Sequence, residues 1–158
     1  MISKMTVIKI VKFISVVTVC VGGIYLLNPV VFELSSGLIV TARHLLPLKG
    51  LTAITCMYLV SFISIGIVAF VSGFFHSVTF NMIRSAIIIY ITWDWFIGMK
   101  HFLFIWELTG CSSLLPLTIK TISNALLLVL ALISLKTLHT GGRKLWGKIH
   151  EIRDNHLN

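Results

Sequence analysis

The stretch that decides the fold is LTAITCMYLVSFISIGIVAFVSGFF, Leu51 to Phe75, which carries no charged residue along its length. A helix rises about 1.5 Å per residue, and about 20 apolar residues cross the ~30 Å hydrocarbon core of a bilayer. The stretch therefore predicts a membrane-spanning helix. Gly66, Ala69 and Gly73 follow one another at spacings of three and four. They share a face, and side chains that small let another helix approach closely. Ser61, Ser64 and Ser72 can return their hydroxyls to their own helix carbonyls, which makes them tolerable in lipid.

Working outward, three further apolar runs flank this one. The first is Val7 to Leu27, entered through Lys4, Lys9 and Lys12 and closed by Asn28-Pro29. A basic start followed by an apolar run also opens a signal peptide, but the small-residue cleavage site is missing near Gly22 and Gly23. Val19 stands before Cys20 where a lipoprotein signal has a small residue. An uncleaved first helix is the expectation. The other runs are Ser85 to Trp106 and Leu114 to Leu135, the latter with Pro116 in its first turn, where proline is tolerated. The predicted spans are thus about 7–27, 51–75, 85–106 and 114–135.

Between the first two spans, Val31, Leu34, Leu38, Ala42 and Leu45 recur at helical spacing, interrupted by Glu33, Ser35, Ser36, Gly37 and Pro47. Too short to span, residues 30–48 suit an interfacial helix or a re-entrant piece, with a plain loop equally open. After Lys136 the composition changes. Gly141-Gly142 reads as a helix break, which divides the chain into a bundle over 1–140 and a basic tail over 141–158. In that tail Leu145, Ile149 and Ile152 share a face beside Trp146, and Lys144 and Lys148 point elsewhere. That pattern predicts a weak amphipathic helix for an anionic membrane surface or a partner.

Composition agrees with the runs. Of 158 residues, 57% are hydrophobic and 11% charged, and the mean hydropathy is +1.00. A soluble domain carries roughly a quarter charged residues. The net charge of +8 does not point to nucleic acid, because the cations sit at the ends of apolar runs, where they set topology. With four spans, Lys4, Lys9, Lys12, Arg84, Lys136, Arg143, Lys144, Lys148 and Arg153 fall on one side, nine in all. Arg43, Lys49, Lys100 and Lys120, four in all, fall on the other. Cations collect on the cytoplasmic side. The expected fold is an all-α, four-helix transmembrane bundle with both termini in the cytoplasm. Short loops and this bias suggest a bacterial inner membrane. Cys20, Cys56 and Cys111 form no C-x-x-C pair, so neither a zinc knuckle nor a thiol-redox motif is indicated.

Asp94 is the sharpest chemical clue. A carboxylate at bilayer depth costs about 2.5 to 3.5 kcal/mol even on insertion scales. Ile87, Tyr90, Asp94, Gly98 and His101 share a helical face, so Tyr90, Asp94 and His101 form a polar seam. Asp94 and His101 stand two turns, about 10 Å, apart. One reading makes the seam a proton or cation pathway. The plainer reading, which we favour here, is that Asp94 bonds Tyr90, Asn124 or Lys120 and holds the bundle in register.

Enzyme constellations are absent from the sequence: no G-x-S-x-G, no H-E-x-x-H and no phosphate-binding glycine loop. No catalytic residue, metal ligand or cofactor is expected. His101 lies inside a span, with His44, His76 and His139 near span ends. No two match in depth as the paired ligands of a membrane haem must, so a b-type cytochrome subunit is the least favoured reading. Two readings stand above it. The first is a small non-catalytic membrane protein that packs against a membrane partner or another copy of itself, as a complex subunit or an immunity or exclusion protein. The second is an oligomeric transporter or channel subunit that uses Asp94.

Overall fold

The computed structural model describes residues 4–45, 49–109 and 115–157, with side chains over 4–34, 58–100, 104 and 117–153. The described residues form four helices: α1 (Lys4–Leu45), α2 (Lys49–Ser72), α3 (Phe80–Thr109) and α4 (Leu115–Leu157). Segments within three of them, Lys4–Leu34, Phe80–Lys100 and Leu117–Arg153, are long and apolar enough to cross a membrane. In α2 the described apolar stretch is the shorter Tyr58–Ser72. This is the build of a membrane protein.

The helices do not pack in chain order. The close pairs are α1 with α2, α2 with α4, α4 with α3, and α3 with α1. Consecutive helices α2 and α3 thus stand diagonally, and the turn joining them crosses one end of the bundle. Contacts fix the directions. Gly66 lies against Leu138 and Gly73 against Arg143, so α2 and α4 run parallel. Tyr25 and Asn28 meet Tyr90, while Cys20 clusters with Ala86, so α1 and α3 also run parallel. The start of α1, the end of α4 and the α2–α3 turn share one end, called the terminal end below.

The centre is aliphatic: Ile24, Ile65, Ala69, Ile83, Ile87 and Leu135 are almost fully buried. The outside is apolar as well, with Ile8, Val19, Leu26 and Ile133 all well exposed. Water would not favour such a surface, and lipid would. Ser64 and Ser72 return their hydroxyls to the carbonyls of Val60 and Ala69 at 3.0 and 2.6 Å.

Two expected breaks are absent. Asn28-Pro29 does not end the first helix, which continues to Leu45 with Pro29 inside it. Residues 30–45 continue α1 as helix, and residues 46–48 lie outside the described residues. Proline removes one intrahelical donor and leaves the Tyr25 carbonyl without its usual partner. Surrounding helices make this tolerable in a bundle. Nor does Gly141-Gly142 end α4, which runs 43 residues from Leu115 to Leu157. At Gly142 a Cβ would sit on the Phe70 carbonyl oxygen of α2. At Gly73 it would sit on the His139 carbonyl oxygen and 2.8 Å from the Arg143 nitrogen. The glycines are where two helix backbones touch. Close contact there outweighs the ~1 kcal/mol each glycine costs a helix.

Side chains tie the same crossing. Ser72 Oγ donates to Ala69 O and so receives a hydrogen bond from His139 Nδ1 at 3.2 Å. Arg143 donates to the Val78 carbonyl in the diagonal turn at 3.2 Å. Past the crossing, Trp146 of α4 stacks on Phe74, with ring centroids 5.4 Å apart.

Candidate functional site

Away from the terminal end, all four helices contribute polar side chains at one level of an otherwise aliphatic bundle. α1 brings Tyr25 and Asn28, α2 brings Tyr58, α3 brings Tyr90 and Asp94, and α4 brings Lys120 and Asn124. The Asn28 amide donates to Tyr90 Oη at 2.7 Å, and the Tyr90 ring meets Tyr25 edge to face with centroids 5.0 Å apart. One turn along α3, Asp94 pairs with Lys120 Nζ at 3.6 Å. Tyr58 donates to the Lys120 backbone carbonyl at 3.4 Å.

Lys120 reaches Asp94 across Gly98. Its terminal methylene and ammonium occupy the place where a Cβ on residue 98 would be. Gly98 lies one turn beyond Asp94 on the same face, so the lysine enters through the gap that glycine leaves. Nearby, Trp95 Nε1 donates to Thr121 Oγ1 at 3.1 Å, and Thr121 in turn donates to the Leu117 carbonyl at 2.9 Å.

Two features of the electrostatics stand out. The ion pair is not deep: the Asp94 and Lys120 side chains are 42% and 33% exposed, on the flank where α3 meets α4. Trp93 and Phe96, 54% and 56% exposed, whose rings stack at 6.1 Å, lie about 100° and 160° round α3 from Asp94 and so face away from α4. Behind the ion pair, Asn124 is only 4% exposed, yet among the described residues neither atom of its amide has a partner, and Asn28 Oδ1 has none either. A cavity of about 200 Å³ lies beside Asn124, bounded by Thr92, Trp95 and Thr121. Buried polar atoms normally find partners, so these atoms are sites for water or for a ligand's hydrogen bonds.

Of the seam residues expected from sequence, Tyr90, Asp94, Lys120 and Asn124 come to this level together. Asp94 chooses Lys120 as its partner. The His101 side chain lies outside the described residues. Gly66, Ala69 and Gly73 do form a helix-packing face, but the chain's own α4 fills it: Leu138 stands 3.6 Å from a Cβ built on Gly66, and Ala69 is fully buried. Of the expected membrane-surface residues, Lys144 and Lys148 are exposed. Trp146 is instead engaged with Phe74 and with His150, 4.8 Å away.

Sequence reasoning missed Asn28, Tyr25 and Tyr58. Asn28 was hidden by its proline, which drew attention as a stop signal. The two tyrosines look like ordinary aromatics until the helix order is known. The described residues bring no three of His, Cys, Asp and Glu together as a metal site. The arrangement offers hydrogen-bond donors, acceptors and one neutralised charge pair.

Compared with known protein families, curated proteins and solved structures, the chain matches none of them.

Proposed function

We propose that this chain is a non-catalytic, multi-pass protein of the bacterial inner membrane, with both termini in the cytoplasm, that works by docking a membrane partner on its α3–α4 flank. The observation that carries this reading is the half-exposed Asp94–Lys120 pair on that flank. Charges facing lipid are costly, and a partner helix that offers the pair hydrogen bonds offsets that cost. The small face of α2 is already filled from within, so it is not the docking surface. A complex subunit and an immunity or exclusion protein both fit this mode of action. The cytoplasmic placement rests on the nine cations of one side against four.

A second reading has its own support. The unpartnered amide atoms of Asn28 and Asn124 suit a hydrated pathway in an oligomeric transporter or channel subunit, with Asp94 as its charged element. Affinity purification of the tagged protein in mild detergent, with mass spectrometry and native mass, separates the two. A stoichiometric heteromeric partner lost on the paired substitution Asp94→Leu/Lys120→Met supports docking. A homo-oligomer without a partner, whose transport fails in Asp94→Asn at unchanged expression, supports the pathway and sinks the docking reading.

A further inference from the structure

Between α1 and α2, beneath the diagonal turn, lies a groove of about 550 Å³. Val16, Val19, Cys20 and Gly23 line it from α1, and Val68 and Val71 from α2. Its wall along α1 runs from Ser15 to Leu27, about 18 Å of helix. That matches one leaflet, about half of the ~30 Å hydrocarbon core.

The stripe does not stop at the mouth of the groove. Lys12 and Lys9 lie four and seven residues before Val16, on the same helical face, and both are exposed. The serine hydroxyls of Ser15 and Ser77 also border the groove at its terminal end. From that end α1 thus presents cations, then a hydroxyl, then one leaflet's depth of apolar wall. Charge and polarity along the stripe are complementary to a phospholipid with an anionic headgroup.

We propose that the groove holds an acyl chain of one anionic phospholipid, with its phosphate on Lys9 and Lys12. Basic side chains at the cytoplasmic mouth of an interhelical groove are suited to such headgroups. A parallel second copy of this chain is disfavoured as occupant. It would bring its own lysine- and arginine-rich end against Lys9 and Lys12, since nine of 13 cations gather there. The assignment needs the chain to sit in a membrane, and is independent of whether α3–α4 docks a partner.

The test is native mass spectrometry of the full-length protein in detergent, titrated with phosphatidylglycerol or with phosphatidylcholine of the same chains. The unsubstituted protein is expected to retain one phosphatidylglycerol in clear preference to phosphatidylcholine. Each lysine near an anionic lipid surface is worth about fivefold in affinity, so the Lys9→Gln/Lys12→Gln variant should lose the preference by roughly tenfold or more. Val19 is exposed on the lipid side of the groove, so Val19→Phe fills the groove without entering the core, and should weaken both lipids. Lys144→Gln/Lys148→Gln should leave the retained lipid unchanged. Equal binding of the two lipids overturns the proposal. So does a preference that survives loss of Lys9 and Lys12, one that disappears with Lys144 and Lys148, or a lipid-free dimer as the stable species.

Discussion

Adding one methyl group at Gly142 is expected to destabilise the bundle by about 3 kcal/mol. A Cβ there meets the Phe70 carbonyl oxygen and stands 3.5 Å from the Gly73 Cα. Phe70 O is held by the Gly73 N–H at 3.0 Å, so no rotamer change relieves the clash. α2 and α4 must move apart. Overpacking costs about 1 to 3 kcal/mol, and a backbone obstacle puts this case near the upper end. Separation also stretches Ser72–His139 and Arg143–Val78, each already 3.2 Å long. Hydrogen bonds between membrane helices average about 0.6 kcal/mol, so the pair adds about 1. Alanine's better helix propensity returns about 1 kcal/mol, which leaves about 3. The assay is unfolding in mixed micelles, titrated with a denaturing detergent and read by circular dichroism. Gly147→Ala is the control, because nothing lies within 4 Å of its Cβ, and it should gain up to about 1 kcal/mol. A Gly142→Ala protein as stable as the Gly147→Ala protein would refute the crossing as described.

Three further outcomes follow from the polar level. Asp94→Leu and Lys120→Met each strand one charge, so the double variant should cost less than the sum of the singles, with a coupling of about 1 kcal/mol or more; a double-mutant cycle giving under about 0.3 kcal/mol removes the ion pair from the account. Tyr90→Phe leaves the Asn28 amide without its acceptor and should cost about 1 to 2 kcal/mol, whereas the same substitution in an Asn28→Leu background should cost much less. Asn124→Leu removes two buried atoms that have no partner among the described residues and extends toward the neighbouring cavity of about 200 Å³. It should stabilise by about 1 kcal/mol or more, and a destabilised variant would mean that the amide is satisfied by bound water or ligand.

How much of this was legible in the sequence depends on the residue. Leu51 to Phe75, read on length and charge alone, marks a helix of membrane character, and α1, α3 and α4 announce themselves the same way. Asp94 and Lys120 stand out because charge is rare in such runs. Their pairing was one of several open choices, since α3 and α4 can meet in more than one register and only Gly98 admits the lysine stem. Pro29 and Gly142 misled for a shared reason. Both weaken a helix locally, by about 3 and 1 kcal/mol in isolation, and at Gly142 the contact with α2 outweighs that cost. For Gly142 the compensating contact, Phe70, lies 72 residues away, beyond any local pattern. Gly73 meets the α4 backbone, and its spacing from Gly66 and Ala69 does not name the approaching helix.

The diagonal placement of α2 and α3 has a consequence for biogenesis. A chain made from its N-terminus delivers α2 to the membrane long before Leu138, His139 and Gly142 exist. Until then the face of Gly66, Ala69 and Gly73 has no internal occupant, and α1 alone of the earlier helices packs closely against α2. The last helix to be synthesised is the one that closes the ring. A ribosome stalled before residue 138 therefore leaves α2 with its narrowest face open. In that interval the nascent protein is open to capture by a chaperone or to quality-control cleavage, and completion of α4 ends the exposure.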